Sequence, residues 1–234
     1  MHNLESDITA RPDLEREARK GVPEIILTDT KTIEQSLSIA ATLLEKQGRA
    51  ILSRVSDELH VELGLRFGDA IMAWAPAARM AVIRDGEPVV ATGGVVGVVT
   101  AGTSDQPAAE EAAVVARELG CQVHVYYDVG VAGLHRLFGP LEELMERASV
   151  DAIVVAAGMD GALPSVVSGL VSVPVIGLPT SVGYGFGGGG QAALMSMLQT
   201  CSPGLAVVNI DNGVGAGIMA GLIANRVASA RRGA

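Results

Sequence analysis

GALPSVVSGLVSVPVIGLPTSVGYGFGGGGQAALMSMLQTCSPGLAVVNI, residues 161–210, contains no Asp, Glu, Lys, Arg or His. An uncharged run of this length first suggests a membrane span. Pro164, Pro174, Pro179, Pro203 and the glycine cluster cut it into pieces shorter than the roughly 20 unbroken apolar residues a bilayer requires. The run reads instead as strand, loop, helix, loop, strand. Val173–Leu178 and Leu205–Ile210 are β-branched runs of the kind found in strands covered on both faces. Gln191–Thr200 is apolar all round, which predicts a helix buried on every side, with a neighbouring subunit as the cover. Cys201 follows that helix in the turn Cys201-Ser202-Pro203-Gly204. Asp160 and Asp211 bracket the run, each at the start of a Gly-containing turn.

Working outward, residues 95–157 show the same alternation. Strands are expected at Val95–Ala101, Gln122–Tyr127 and Asp151–Ala157, and helices at Gln106–Leu119, Leu134–Ala148 and Leu163–Val171. A last helix is expected at Gly215–Ala230. Strands alternating with helices at this pitch predict an α/β fold, a three-layer parallel sheet of the flavodoxin or Rossmann kind. Ligands of such folds bind at the C-terminal ends of the strands. The N-terminal part reads as a smaller α/β domain with a more charged surface. Its expected elements are a helix at Pro12–Lys20, strands at Glu24–Thr28, Ala50–Val55 and Ala78–Ile83, and helices at Thr32–Gln47 and from Ser56 to Arg66. After the turn Asp85–Pro88 comes the hinge Thr92-Gly93-Gly94. The boundary is set there: 1–92 as the N-terminal domain and 93–234 as the C-terminal α/β domain.

Composition narrows the function. The chain of 234 residues is 49% hydrophobic, 3% aromatic and carries a net charge of −9, so it has neither the basic stripe nor the stacking platform of a nucleic-acid binder. Lysine stops at Lys46, so an anionic ligand of the C-terminal half would rely mainly on backbone N–H groups. Cys121 and Cys201 lack metal-type spacing. No secretory signal peptide or lipidation motif is legible, which makes a reduced, cytoplasmic setting the expectation.

Each expected strand of the second half ends in a turn able to meet a ligand. Gly102, Thr103, Ser104 and Asp105 precede a helix with Pro107 in its first turn, an anion-binding arrangement that also serves as an ordinary helix start with Asp105 as cap. Asp128 suits a ribose hydroxyl, with Arg136 the nearest cation. Gly158, Asp160 and Gly161 form the next turn. Asp160 stands at the lip of an apolar region, where a carboxylate's pKa rises towards proton transfer, or where it simply caps a helix. Ser181 and Tyr184 open a Gly-rich loop able to close over a ligand, and Asp211 ends the series. Cys201 is the only thiol among these turns. The negative end of the preceding helix would raise its pKa, so its activation would have to come from a cationic substrate or another subunit.

Taken in order, GVPEIILTDTKT, TAGTSDQP, YYDVGVAGLHRL, AAGMDGALPSVV, PTSVGYG and CSPGLAVVNIDNG resemble the LarB family of nickel-pincer cofactor biosynthesis, across about residues 16–225. The C-terminal domain of that family resembles the purine-pathway aminoimidazole ribonucleotide (AIR) carboxylase and mutase. The resemblance implies a pyridinium-3,5-biscarboxylic acid mononucleotide synthase. Such an enzyme carboxylates the pyridinium ring of nicotinic acid adenine dinucleotide with CO2 and hydrolyses its phosphoanhydride, releasing AMP. It also implies a homo-octamer, with Cys201 as catalytic thiol and Asp160 as the acidic residue, where the family usually has Glu. The pyrophosphate would lie on the Gly102–Asp105 turn, with Lys31 or Arg54 assisting. A divalent metal such as Mg2+ would serve the hydrolytic step, although no dedicated cage is legible. Two alternatives stand beside this reading. A purine-type mutase would carry a catalytic His where Ala162 or its neighbours stand, and a non-catalytic nucleotide-binding module would need the turns but not Cys201.

Overall fold

The computed structural model describes residues 10–68, 70–86 and 88–233. The polar residues 1–9 and Glu87 of the Asp85–Pro88 turn lie outside them. The chain divides into two compact units, Met1–Pro88 and Val89–Ala234.

Unit 1 contains α1 (Arg16–Lys20), β1 (Ile25–Leu27), α2 (Ile33–Gln47), β2 (Arg49–Ser53), α3 (Asp57–Arg66), β3 (Ile71–Ala75) and β4 (Met80–Arg84). α2 starts where Thr32 accepts from Gln35 N and Gln35 returns the bond, a capping box, and it ends at left-handed Gly48. Ser56 caps α3 by accepting from Leu59 N. The sheet order is β1-β2-β4-β3, with β1 and β2 parallel and the other pairs antiparallel. β1, α2 and β2 form a βαβ unit, and the three strands expected here become four: Ile71–Ala75 forms a further strand. Its run Ile-Met-Ala-Trp-Ala is poor in β-branched residues, and it is held by hairpin pairing with β4 across the turn at Pro76–Arg79. Ile26, Ile39, Leu43, Leu52, Leu59, Leu63 and Ile83 form the core of this unit.

Unit 2 contains β5 (Val95–Thr100), α4 (Gln106–Glu118), β6 (Gln122–Tyr126), α5 (His135–Glu142), β7 (Ala152–Ala157), α6 (Ala162–Ser168), β8 (Val175–Pro179), α7 (Gln191–Leu198), β9 (Leu205–Val207) and α8 (Gly213–Gly233). All pairs of the five-stranded sheet are parallel, in the order β6-β5-β7-β8-β9. This is the flavodoxin-like doubly wound order, whose direction of winding reverses between β5 and β7. Every residue of β7 is buried, as a central strand covered on both faces requires. Leu137, Leu141 and Leu144 of the α5 region, Leu163 and Val167 of α6, and Ala193 and Met197 of α7 pack in one core with Val99, Ile153, Val155 and Val175 from the strands. α4 and α8 pack together and also contact β5 and β7.

α8 is long and apolar enough to cross a bilayer by length and composition alone. Its Gly213, Gly217 and Gly221 lie so close to α4 that a side chain on Gly217 would meet Val115 Cβ at 2.9 Å and Ala112 Cα at 3.0 Å. The glycines leave room along this seam for Glu111, Val115 and Leu119 of the α4 side.

The helix expected at Gln191–Thr200 forms as α7 (Gln191–Leu198). Ala193 and Met197 are buried, but Met195 and Leu198 are about two-thirds exposed (65% and 66%), so a single copy covers one side of the helix only.

Candidate active site

The five turns at the C-terminal edge of the parallel sheet are tied into one rim. Thr180, directly after β8, donates its hydroxyl to Asp105 Oδ1 at 2.6 Å, and Gly102 N donates to Asp105 Oδ2 at 2.8 Å. Both Asp105 and Thr180 are buried. Asp105 makes no capping bond to α4, which corrects the capping expectation. Its carboxylate instead links the turn after β5 to the turn after β8 over the end of β7. The first of these turns thereby leaves Thr103 and Ser104 exposed at the start of a 13-residue helix.

The neighbouring turns join in the same way. Asp128 N donates to Thr100 Oγ1 at 3.0 Å, and Met159 N donates to Val182 O at 2.8 Å. Ser181 N donates to Asp211 Oδ1 at 2.8 Å, while Asp211 N donates to Pro179 O at 2.9 Å. Asp128 (φ 57°), Met159 (φ 51°) and Asp211 (φ 53°) all adopt left-handed backbone, at the ends of β6, β7 and β9. Such conformations cost on the order of 1–3 kcal/mol each where side chains are present, and they collect at functional rims. Gly158 is pressed against Val182 O and Thr180 Oγ1, where no Cβ fits. Gly161 (φ 62°) begins α6, and a Cβ there would meet Ala193 O at 2.6 Å.

Asp128, Arg136, Asp160, Ser181 and Tyr184 all have exposed positions on this rim. Arg136 Nη1 donates to Asp128 Oδ2 at 2.8 Å, an exposed pair of the kind that contributes about 0–1 kcal/mol and yields readily to a ligand. Asp160 Oδ1 accepts from Ala162 N at 3.4 Å and is otherwise turned to solvent rather than set at a dry lip. Tyr184 and Phe186 are exposed in the Gly-rich loop between β8 and α7.

Cys201 is a free, exposed thiol. It lies between α7 and β9, at the end of the sheet where strands begin. Gly204, three residues on, accepts from Val175 N, the first residue of β8. Ser202 Oγ donates to Ser165 O at 2.7 Å and fixes the turn against α6. Asp160 stands at the other end, after β7, where Ala157 pairs with Pro179, the last residue of β8. The length of β8 therefore separates the two levels, roughly 13 Å at about 3.3 Å per residue. Of the site residues expected in unit 2, all but Cys201 belong to the rim, while Lys31 and Arg54 lie in unit 1.

Cys121 is the contrasting thiol. Burial pushes it up to about 11, a hydrogen bond to Thr92 opposes this, and the charge of Asp151 adds to it. Its Sγ lies 3.3 Å from Asn225 Oδ1, within the packing of α8. Among the described residues, no group of three or more His, Cys, Asp or Glu side chains stands ready to hold a metal. Asp128, Asp160 and Asp211 occupy separate turns, so they form no cage for Mg2+.

Thr180 and Thr100 did not figure among the expected site residues. Each is a single hydroxyl at a strand end, and the bond from Thr180 spans 75 positions of chain, so no local motif announces it.

Residues 95–232 match the AIR carboxylase family, and residues 4–85 match the LarB/PurE-like N-terminal domain. The chain belongs to the AIR carboxylase family, in the LarB-like form that adds this N-terminal domain. It is 42% identical over 221 residues to the uncharacterized protein MJ0165 of Methanocaldococcus jannaschii, a match covering 91% of this chain and 82% of that protein. It is 35% identical over 119 residues to the N5-carboxyaminoimidazole ribonucleotide mutase of the same organism, covering 50% of this chain and 70% of the mutase. The corresponding mutase of Thermotoga maritima is 30% identical over 134 residues, covering 55% and 73%.

Proposed function

We propose that the protein carboxylates the pyridinium ring of nicotinic acid adenine dinucleotide with CO2 and hydrolyses the phosphoanhydride. The products are pyridinium-3,5-biscarboxylic acid mononucleotide and AMP, on a route to a nickel-pincer nucleotide. The exposed thiol of Cys201 carries the reading. The LarB/PurE-like N-terminal domain, and the lack of a His in Met159-Asp160-Gly161-Ala162-Leu163-Pro164, support it over a purine-type mutase.

The chemistry balances as follows. The Cys201 thiolate forms a C–S bond to the ring carbon beside the nitrogen and neutralises the pyridinium. The next ring carbon is then an enamine carbon, and its electron pair forms the C–C bond to CO2. Asp160 accepts the proton of that carbon and passes it to water. Those electrons restore the ring double bond as the C–S bond breaks, and the pyridinium and thiolate are regenerated. Splitting one difficult step into several is the gain of covalent catalysis. In the hydrolytic step water adds at phosphorus and AMP leaves. The exposed Thr103–Ser104 turn, at the positive end of α4, suits the pyrophosphate. Asp128 and Arg136 suit the ribose and its phosphate.

Sulfur and carboxylate must reach neighbouring ring atoms, yet within one copy they stand at opposite ends of β8. We therefore propose that the site is assembled from at least two copies, Cys201 of one meeting Asp160 of another, within the octamer that the family resemblance suggests. Met195 and Leu198 on α7, together with exposed Met159 beside Asp160, supply apolar surface for that contact. Burial there would also exclude water from the enamine.

The test is incubation with nicotinic acid adenine dinucleotide and bicarbonate, followed by mass spectrometry. AMP and the biscarboxylated mononucleotide form with the wild type and not with Cys201→Ser. Product from the Ser variant at the wild-type rate removes the covalent mechanism. Turnover of a carboxyaminoimidazole ribonucleotide in place of the dinucleotide moves the protein to the mutase class.

A further inference from the structure

Unit 1 has a cavity of its own. The parallel strands β1 and β2 end side by side, and the chain leaves them through two short connections into α2 and α3. Around these connections lies a cavity of about 270 Å³ whose lining includes Thr28, Asp29, Lys31, Arg54, Ser56 and Arg79. Three of these side chains are cationic and one is anionic, in a chain whose net charge is −9.

The cations are held in place. Lys31 Nζ donates to Leu27 O at 2.8 Å, and Arg79 Nε donates to Val55 O at 3.0 Å. Arg54 Nη1 donates to Asp29 Oδ2 at 2.9 Å. Arg54 (φ 60°) and Arg79 (φ 49°) both adopt left-handed backbone, which disfavours residues with a Cβ. That two arginines hold this conformation on one cavity points to a use for their placement. The first turns of α2 and α3 also open here, and their caps Thr32 and Ser56 each occupy one backbone N–H. The remaining donors and the positive helix ends add to the side-chain charge.

We propose that this cavity binds a phosphate group, as free phosphate or as the phosphate of a mononucleotide. Its volume falls just short of the roughly 300–1,000 Å³ typical of small-molecule sites, which suits a phosphate with little attached rather than a dinucleotide. Asp29 is the competitor: it holds Arg54 until an anion takes its place. The proposal concerns unit 1 alone, gives Lys31 and Arg54 a ligand there in place of the assisting role at the Gly102–Asp105 turn, and does not rest on the roles assigned to Cys201 and Asp160.

Hydrogen–deuterium exchange on the full chain tests it, with inorganic phosphate or AMP at millimolar concentration. Trp74, the only tryptophan, provides a second readout. It stacks on His60 at 4.2 Å, next in sequence to the cavity residue Leu59. Either ligand slows exchange in residues 28–33 and 54–59 and shifts Trp74 fluorescence with the same midpoint. Tighter binding of AMP identifies a mononucleotide site, and equal midpoints a site for the phosphate alone. The Lys31→Gln/Arg79→Gln double variant weakens binding by roughly tenfold or more, as loss of charge-assisted bonds requires. Asp29→Asn tightens binding, a gain that a misfolded protein does not mimic. Absence of protection in both segments with both ligands overturns the proposal, as does an unchanged midpoint in the double variant. Carboxylation that fails while this protection persists counts against the reading of Cys201 and leaves this site standing.

Discussion

Thr180→Val tests whether the rim is held together by a polar tie or by packing. The substitution keeps the shape of the side chain and removes the hydroxyl that reaches Asp105 at 2.6 Å. Both partners are buried, so water does not readily replace the lost donor. A hydrogen bond to a charged group contributes about 1.5–3 kcal/mol. Asp105 keeps its bond from Gly102 N, so the expected loss is about 2 kcal/mol rather than the full cost of an orphaned carboxylate. With a urea dependence of about 2 kcal/mol per molar, the unfolding midpoint followed by circular dichroism falls by about 1 M. Thr180→Ser keeps the hydroxyl and removes one methyl, a loss of about 1 kcal/mol and about half that shift. The order decides the matter: Val is the more damaging change if the hydrogen bond holds the rim, and Ser if packing does. A midpoint for Val at or above that of Ser refutes the reasoning.

Other consequences follow from the same geometry. In the native protein one thiol reacts with a thiol reagent at pH 8 and two react after denaturation, and Cys201→Ser abolishes the native reactivity. Cys121, pushed up to about 11 from 9.0 by burial, keeps its proton in the folded chain after the unfolded chain has released it. Its contribution to stability is thus complete below about pH 9 and is lost as pH rises towards 11, so Cys121→Ala flattens that part of the stability–pH curve relative to wild type. Gly217→Ala forces a Cβ into the backbone of α4 and destabilises by about 1–3 kcal/mol, read as a lower thermal midpoint. Gly139→Ala, where a Cβ meets nothing within 4 Å, serves as the neutral control.

The parallel sheet of unit 2 was legible because its central strands are uncharged runs rich in Val and Ile, such as Val95–Thr100 and Ala152–Ala157, each followed by a Gly-containing turn. Such runs survive only when covered on both faces, and that alone implies the helices. β3 was not legible: Ile71–Ala75 owes its extended form to pairing with β4 rather than to its own residues. The rim residues stood out as turn types, because Gly, Asp and Ser at strand ends carry a local signal. Their mutual ties did not, since Asp105 and Thr180 meet only through the strand order. Absence of charge shows that Met195 and Leu198 need a cover, and does not show that the cover lies in the same copy.

Cys201 and Asp160 are each indispensable in the proposed reaction, and the fold places them at opposite ends of the sheet. Mixing inactive Cys201→Ser protein with inactive Asp160→Asn protein, after dissociation and reassembly, therefore bears most directly on the account. Mixed assemblies contain some sites with an intact thiol from one variant and an intact carboxylate from the other, so carboxylation of nicotinic acid adenine dinucleotide returns in part. If the mixture stays inactive while reassembled wild type recovers, the two residues do not meet across copies and the proposed site is wrong.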